Sequence, residues 1–136
     1  MIKKKGGGSR VAYQVGDISA INEHGLWLID HYMIECKFVK ALDVGTACYG
    51  RGGLLSKFWG TLVCEAHDYL KHPFLLAKQN NFPTLIGLPV DWYRNHPRAC
   101  PTPLVIIPHL KLALWGWEDF QVRVAYPEFQ SWLKSS

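Results

Sequence analysis

The sequence predicts an α/β or α+β fold in which a small mixed sheet is flanked by helices. Three observations predict it: apolar runs of strand length, one amphipathic stretch of helical period, and their order, which is strand, strand, helix, strand, strand and tail. With 136 residues, of which 49% are hydrophobic, the chain can form one domain with its own core. We divide it into a flexible basic N-terminal segment, residues 1–10, and a single domain, residues 11–136.

The first two predicted strands cover residues 17–21 and 26–39. The polar segment between them, residues 22–25, ends in glycine and is typical of a hairpin connection. We therefore expect the two strands to pair antiparallel. This pairing would bring acidic residues of both strands to one face of the sheet.

The next segments predict a loop and then a helix. Residues 43–53 are rich in glycine and predict the loop, whereas apolar residues recur at three- and four-residue spacings over residues 54–70 and predict an amphipathic helix. Glu65 and Asp68 fall on the polar side of this helix, so we expect them to face solvent. The apolar stripe predicts core packing.

The rest of the chain predicts a second hairpin and a less regular tail. Two apolar runs flank the turn residues Asn80 and Asn81 and predict the hairpin. The later segments are a loop at 90–102, a strand at 104–107, a stretch at 110–117 that fits either a helix or a strand, and a short terminal helix from Pro127. The six tryptophans predict packing in the core or at a dimer interface.

Cysteine and histidine spacing favours a reduced, zinc-free protein. The four cysteines lack CxxC spacing and the six histidines lack HxxxH or HExxH spacing. We therefore expect a cytoplasmic protein, in the host cytoplasm if the chain is viral. The apolar runs are too short to span a membrane, and no hydrophobic segment follows the basic start, so we expect neither a membrane span nor a secretory signal.

The net charge of +4 is compatible with an anionic partner but does not by itself identify a nucleic-acid binder. Four basic residues precede the first acidic residue and predict either a solvated tail or an arm that contacts phosphates. Other basic residues surround the second strand and the second hairpin, where each also fits a solvated surface position. The candidate phosphate-contacting residues are Lys3, Lys4, Lys5, Arg10, Lys40, Arg51, Lys57 and Lys78.

The second strand carries a charged pair in apolar surroundings. Alternation along a strand places Glu35 and Lys37 on the same face. The opposite, apolar face takes Ile34, Cys36 and Phe38. Because a carboxylate and an ammonium are costly to bury, the pair is either a structural ion pair or part of a functional site.

Asp17 can bring a second carboxylate to this pair from the first strand. Magnesium prefers hard oxygen ligands, typically one or two carboxylates with waters and phosphate oxygens. Asp17 and Glu35 are therefore candidate metal ligands, with the backbone carbonyl of Cys36 as a third oxygen. Lys37 can orient or deprotonate an attacking water and offset charge on a phosphate. The set is typical of a magnesium-dependent phosphodiesterase.

Two motifs carry a resemblance to a known superfamily. Gly-Asp-Ile at 16–18, followed by Ile-Glu-Cys-Lys at 34–37, resembles the PD-(D/E)xK nuclease superfamily and, more narrowly, phage-type Holliday junction resolvase-like endonucleases. The resemblance extends over residues 16–90, through the predicted helix and the second hairpin, with a tail at 118–133. Many members carry a further glutamate in a helix ahead of the Gly-Asp motif, whereas no acidic residue precedes Asp17 here.

The resemblance implies a restriction-endonuclease-like core in which Asp17 and Glu35 bind the metal and Lys37 is the catalytic lysine. It implies a DNA endonuclease that uses Mg²⁺, or alternatively Mn²⁺, and that cuts branched DNA such as Holliday junctions. Symmetric cutting of a four-way junction needs two active sites, so we expect a homodimer. The alternatives are a catalytically inactive nuclease-fold DNA-binding or assembly protein, and a restriction or repair nuclease that acts on linear DNA.

Overall fold

The chain forms a mixed α/β structure with an open five-stranded sheet. The structure is a computed structural model, and it describes residues 2–4, 18–20, 30–95, 97–98 and 100–123. The strands of the large sheet are β3 (Tyr32–Val39), β4 (His72–Gln79), β5 (Leu85–Pro89), β6 (Val105–Ile107) and β7 (Leu112–Gly116), in the spatial order β3-β4-β5-β7-β6. β3 and β4 are parallel and the other neighbours are antiparallel, so the predicted mixed sheet is confirmed.

In the described part of the chain, four short or medium helices accompany the sheet. They are α1 (Val44–Cys48), α2 (Leu54–Asp68), α3 (Val90–Asn95) and α4 (Trp117–Arg123), with one 3₁₀ turn at Pro108–Leu110. None of the helices in the described ranges is both long and apolar enough to cross a bilayer.

The amphipathic helix predicted over residues 54–70 is confirmed as α2. Its buried side chains recur at spacings of four, three and four: Leu55, Trp59, Leu62 and Ala66. Burial of a leucine such as Leu62 stabilises the fold by about 1.5–3 kcal/mol relative to leaving it exposed. The helix ends because Leu70 adopts a positive φ of 56°, while the N–H of Lys71 donates to the carbonyl oxygen of Ala66.

The second hairpin and the strands after it also match the sequence pattern. β4 and β5 pair antiparallel, with Leu75 opposite Gly87, and the predicted turn between them contains Asn81 at a positive φ of 64°. A Cβ atom at position 87 would lie 3.0 Å from Leu112 Cδ1, so glycine permits close packing of β5 against β7. The strand predicted at 104–107 is confirmed as β6, and the ambiguous stretch at 110–117 contains the strand β7.

The predicted pairing of the first two strands is wrong. The segment β2 (Ile18–Ala20) pairs antiparallel with β1 (Ile2–Lys4) in a separate two-stranded sheet, and β3 pairs with β4. The short polar turn at 22–25 favoured a hairpin, but each strand has a different partner. A turn sequence indicates only that its two flanking strands can pair, and it does not show whether a strand distant in sequence pairs with one of them instead.

Two segments predicted as loops contain short helices. α1 lies within residues 43–53, where the Asp43 carboxylate accepts hydrogen bonds from the hydroxyl and the backbone N–H of Thr46. These bonds lower the pKa of Asp43. α3 lies within residues 90–102, a segment whose prolines favoured a loop. Burial of Val90 and Trp92 stabilises the helix there. The terminal helix predicted from Pro127 lies outside the described residues.

The core is divided between the two faces of the sheet. One face is mainly aromatic, and its buried members are Tyr32, Ile34, Phe74, Ile86, Leu88, Val90, Trp92, Cys100, Ala113, Trp115 and Phe120. The other face packs against α2, and its buried members are Met33, Leu42, Ala47, Leu55, Trp59, Leu62, Ala66, Leu75, Ala77, Ile107, Leu112 and Leu114. Three of the six tryptophans, at positions 59, 92 and 115, are buried in these clusters, which confirms core packing for them.

Candidate functional site

β3 holds the charged pair at the edge of the five-stranded sheet. Its burial alternates with the strand period: Met33 is buried on the face that packs against α2, and Glu35 and Lys37 follow on the same face, each half-buried. The predicted shared face of Glu35 and Lys37 is therefore confirmed. The opposite face is only partly covered, because Ile34 is buried whereas Phe38 is 74% exposed.

A pocket of about 370 Å³ lies between β3 and α2. The strand contributes Glu35 and Lys37, and the helix contributes the rest of its lining: Lys57, Phe58, Thr61, Leu62 and Glu65. The pocket therefore combines two carboxylates and two ammonium groups with a hydroxyl and an apolar wall. An ordinary structural ion pair between strand residues requires no such cavity.

Helical spacing explains how α2 contributes to the pocket. Lys57, Thr61 and Glu65 are separated by four residues each, so they form one polar row along the helix. Phe58 and Leu62 form the neighbouring apolar row, which leads into the core. One wall of the pocket is thus polar along its length and borders an apolar base.

An aromatic ring holds the lysine at the pocket wall. The Lys37 ammonium lies 5.1 Å from the centroid of the Phe58 ring. A cation over a ring face is stabilised by about 0.5–2 kcal/mol, depending on how far it is desolvated. Phe58 therefore restricts the positions of the Lys37 side chain without neutralising its charge.

Glu65 lines the pocket, although the sequence pattern predicts only a solvent-facing position for it. Glu65 and Asp68 are both exposed, as predicted for the polar side of the helix, but Glu65 also borders the pocket, whereas Asp68 does not. The available signal was the four-residue step from Lys57 to Thr61 and from Thr61 to Glu65. It became informative only when the side of α2 that faces β3 was known.

Asp17 lies outside the described residues, so its expected position beside Glu35 stays a prediction. Cys36 is half-buried and lines a second pocket of about 320 Å³ on the other side of β3. The other residues of that pocket are Lys37, Phe38, Leu76, Lys78 and Thr84. The role predicted for the Cys36 backbone carbonyl as a metal ligand stays a prediction.

The candidate DNA-contacting residues occupy different environments. Lys57 lies at the pocket, Lys40 is exposed directly after β3, and Arg51 is exposed in the loop before α2. The Lys78 ammonium donates to the carbonyl oxygens of Gln79, at 2.8 Å, and of Phe82, so this lysine ties the β4–β5 turn. Lys3 and Lys4 belong to β1, and Lys5 and Arg10 lie outside the described residues.

The donors at the pocket fit a hard divalent cation. Glu35 and Glu65 both offer carboxylate oxygens, and Mg²⁺ commonly takes one or two protein carboxylates and completes its shell with water and phosphate oxygens. Among the described residues, no group of three or more His, Cys, Asp or Glu side chains is placed to hold a metal.

A comparison of the chain with models of protein families, with curated proteins and with solved structures found no match. The resemblance to the PD-(D/E)xK superfamily therefore rests on the two short motifs and stays a prediction.

Proposed function

We propose that the chain is a magnesium-dependent DNA endonuclease with a restriction-endonuclease-like core, and that the pocket between β3 and α2 is its active site. One observation carries the proposal: Glu35 and Lys37, the pair singled out by the ExK motif, open into the same cavity as Lys57 on the facing helix. A carboxylate that can bind a cation and two ammonium groups that can bind phosphate are thus available together.

Each residue of the pocket has a distinct role in this proposal. Glu35, with Asp17, holds the divalent cation, which when bound lowers the pKa of water and offsets charge on the phosphate. Lys37, restrained by Phe58, hydrogen-bonds the attacking water or a phosphate oxygen. Lys57 binds a non-bridging phosphate oxygen as a point charge.

The reaction is hydrolysis of one phosphodiester bond. The water oxygen forms a new bond to phosphorus, and the bond from phosphorus to one sugar oxygen breaks. The water loses a proton and the departing sugar oxygen gains one, so protons balance. Branched DNA as the substrate, a homodimer as the active form and a cytoplasmic location follow from the resemblance and form part of the proposal.

A cleavage assay with two substrates tests the proposal. Purified protein is incubated with a labelled four-way junction and with a linear duplex of the same sequence, in Mg²⁺ and in EDTA. We expect cleavage of the junction in Mg²⁺ alone and a large loss of cleavage in Glu35→Ala and Lys37→Ala. Asp68→Asn is the matched control, because Asp68 lies on α2 but not at the pocket.

The alternative functions appear as other outcomes of the same assay. Binding of the junction without cleavage in any metal would favour the inactive DNA-binding protein. Equal cleavage of junction and linear duplex would favour the restriction or repair nuclease. Undiminished cleavage by both the Glu35 and the Lys37 variants would remove the pocket from consideration as the active site.

A further inference from the structure

The direction of α2 determines which charges meet in the pocket. β3 and β4 are parallel neighbours, and the chain passes from one to the other through α2, so α2 runs back against the direction of the strands. The first half of α2 therefore lies beside the end of β3, and its second half beside the start. The contact of Lys37, near the end of β3, with Phe58, in the first half of α2, agrees with this direction.

From this direction we expect each charged residue of β3 to lie nearer to the α2 residue of the same charge. We expect Lys57, at the beginning of α2, to lie nearer to Lys37, and Glu65, two turns later, to lie nearer to Glu35. The Cα–Cβ bonds of a helix tilt toward its N-terminus, so the Glu65 side chain leans back toward Thr61 and into the pocket. We therefore expect one end of the pocket to be acidic and the other end to be basic.

At the pocket, Glu35 and Glu65 offer carboxylate oxygens, and Lys37 and Lys57 offer ammonium groups. The arrangement is complementary to a ligand that presents a cation at one end and an anion at the other. A divalent cation bound to a phosphodiester has this distribution of charge.

We propose that Glu65 is a second ligand of the divalent cation at the acidic end of the pocket, beside Glu35. This assignment rests on the proposed function, because that function places the cation in this pocket. It extends the proposed function by naming a helix residue that binds the cation. Lys37 and Lys57 at the basic end remain available for the phosphate. Glu65 thereby adds a carboxylate from α2 to those expected from Asp17 and Glu35.

Direct measurement of metal binding tests this assignment without reference to catalysis. Mn²⁺ is titrated by calorimetry into the full chain and into Glu65→Gln, Glu35→Gln and Asp68→Asn. We expect the affinity to fall by about tenfold or more in each glutamate variant, as is usual when a metal-site residue is altered. Asp68→Asn should bind like the parent chain, since it removes the same charge three residues away from Glu65 on α2.

The result also separates this inference from the proposed function. Glu65 is exposed, so its glutamine variant should keep the circular dichroism spectrum and thermal midpoint of the parent in EDTA. Equal Mn²⁺ affinity of Glu65→Gln and Asp68→Asn, or no Mn²⁺ binding by the parent, overturns the inference. If Mn²⁺ binding depends on Glu65 but no DNA is cleaved, Glu65 is supported as a metal ligand and the nuclease function is refuted. If DNA is cleaved but Mn²⁺ binding does not depend on Glu65, the nuclease function is supported and Glu65 is refuted as a ligand.

Discussion

Replacement of Phe58 by leucine should release Lys37 from its place at the pocket wall. The Lys37 ammonium lies 5.1 Å from the ring centroid, and the lysine is half-buried, so the contact should contribute about 1 kcal/mol, between the values for exposed and desolvated pairs. Leucine keeps an apolar side chain at this position but lacks the ring face. A loss of about 1 kcal/mol corresponds to about a fivefold fall in the population of the restrained lysine.

A double-mutant cycle measures this contact directly. Urea unfolding of the parent, Phe58→Leu, Lys37→Met and the double variant should give a coupling free energy of about 0.5–1 kcal/mol. The same cycle with Lys57→Met is the control, because adjacent helix residues do not face each other and its coupling to Phe58 should be near zero.

The cleavage rate provides a second reading of the same contact. If Lys37 acts at the phosphate, Phe58→Leu should lower the cleavage rate constant by about fivefold. In the Lys37→Met background, Phe58→Leu should not change the residual cleavage rate constant. A coupling free energy of less than about 0.3 kcal/mol in the Lys37 cycle would refute the reasoning, because the two side chains would then not interact in solution.

Three further predictions concern other parts of the molecule. Lys57→Ala should weaken DNA binding in EDTA and reduce the slope of log affinity against log salt by about 1, as measured by filter binding across a salt series. Arg94→Ala, on α3 and away from the pocket, should leave this slope unchanged. Burial raises the pKa of the Cys100 thiol to about 11, so iodoacetamide at pH 8 should alkylate the exposed Cys48 far faster than Cys100. Equal alkylation rates of the two cysteines, measured by peptide mass mapping, would contradict the burial of Cys100. Burial lowers the pKa of His72 below its usual 6.5, so the unfolded chain binds the proton more readily and the unfolding free energy should fall as pH drops through 6.5. In urea titrations at pH 5–8, His72→Gln should reduce the dependence of the unfolding free energy on pH.

The local patterns of this chain were sufficient for its longest elements. The spacing of Leu55, Trp59 and Leu62 fixes a helix because these residues all need the same apolar side, and two apolar runs around Asn81 fix a hairpin because the turn brings them together. Each inference depends on residues close in sequence. The same is true of the shared face of Glu35 and Lys37.

The errors arose where distant segments compete or cooperate. β2 pairs with β1, although the turn after it favoured a pairing with β3, because strand partners are chosen by the whole sheet and not by one turn. α3 forms because Trp92 is buried against an aromatic cluster that comes from several strands. Helix propensity is too weak to predict such a case.

The site was predictable on the strand but not on the helix. Glu35 and Lys37 carry a short motif, so their residue types alone raise the hypothesis of a metal-dependent site. Glu65 carries no motif, and its place at the pocket depends on the parallel pairing of β3 with β4, which reverses α2 between them. The tertiary arrangement therefore supplied the second carboxylate of the pocket.

The central claim is that Glu35 and the pocket around it cut DNA with a divalent cation. Single-turnover cleavage of a four-way junction, with enzyme in excess, tests it most directly, since binding defects are then saturated. We predict Mg²⁺-dependent cleavage by the parent and by Asp68→Asn, a loss of at least about a hundredfold in Glu35→Gln, and no cleavage in EDTA. Cleavage by Glu35→Gln at the parental rate, or an absence of cleavage by the parent in both Mg²⁺ and Mn²⁺, would contradict the claim.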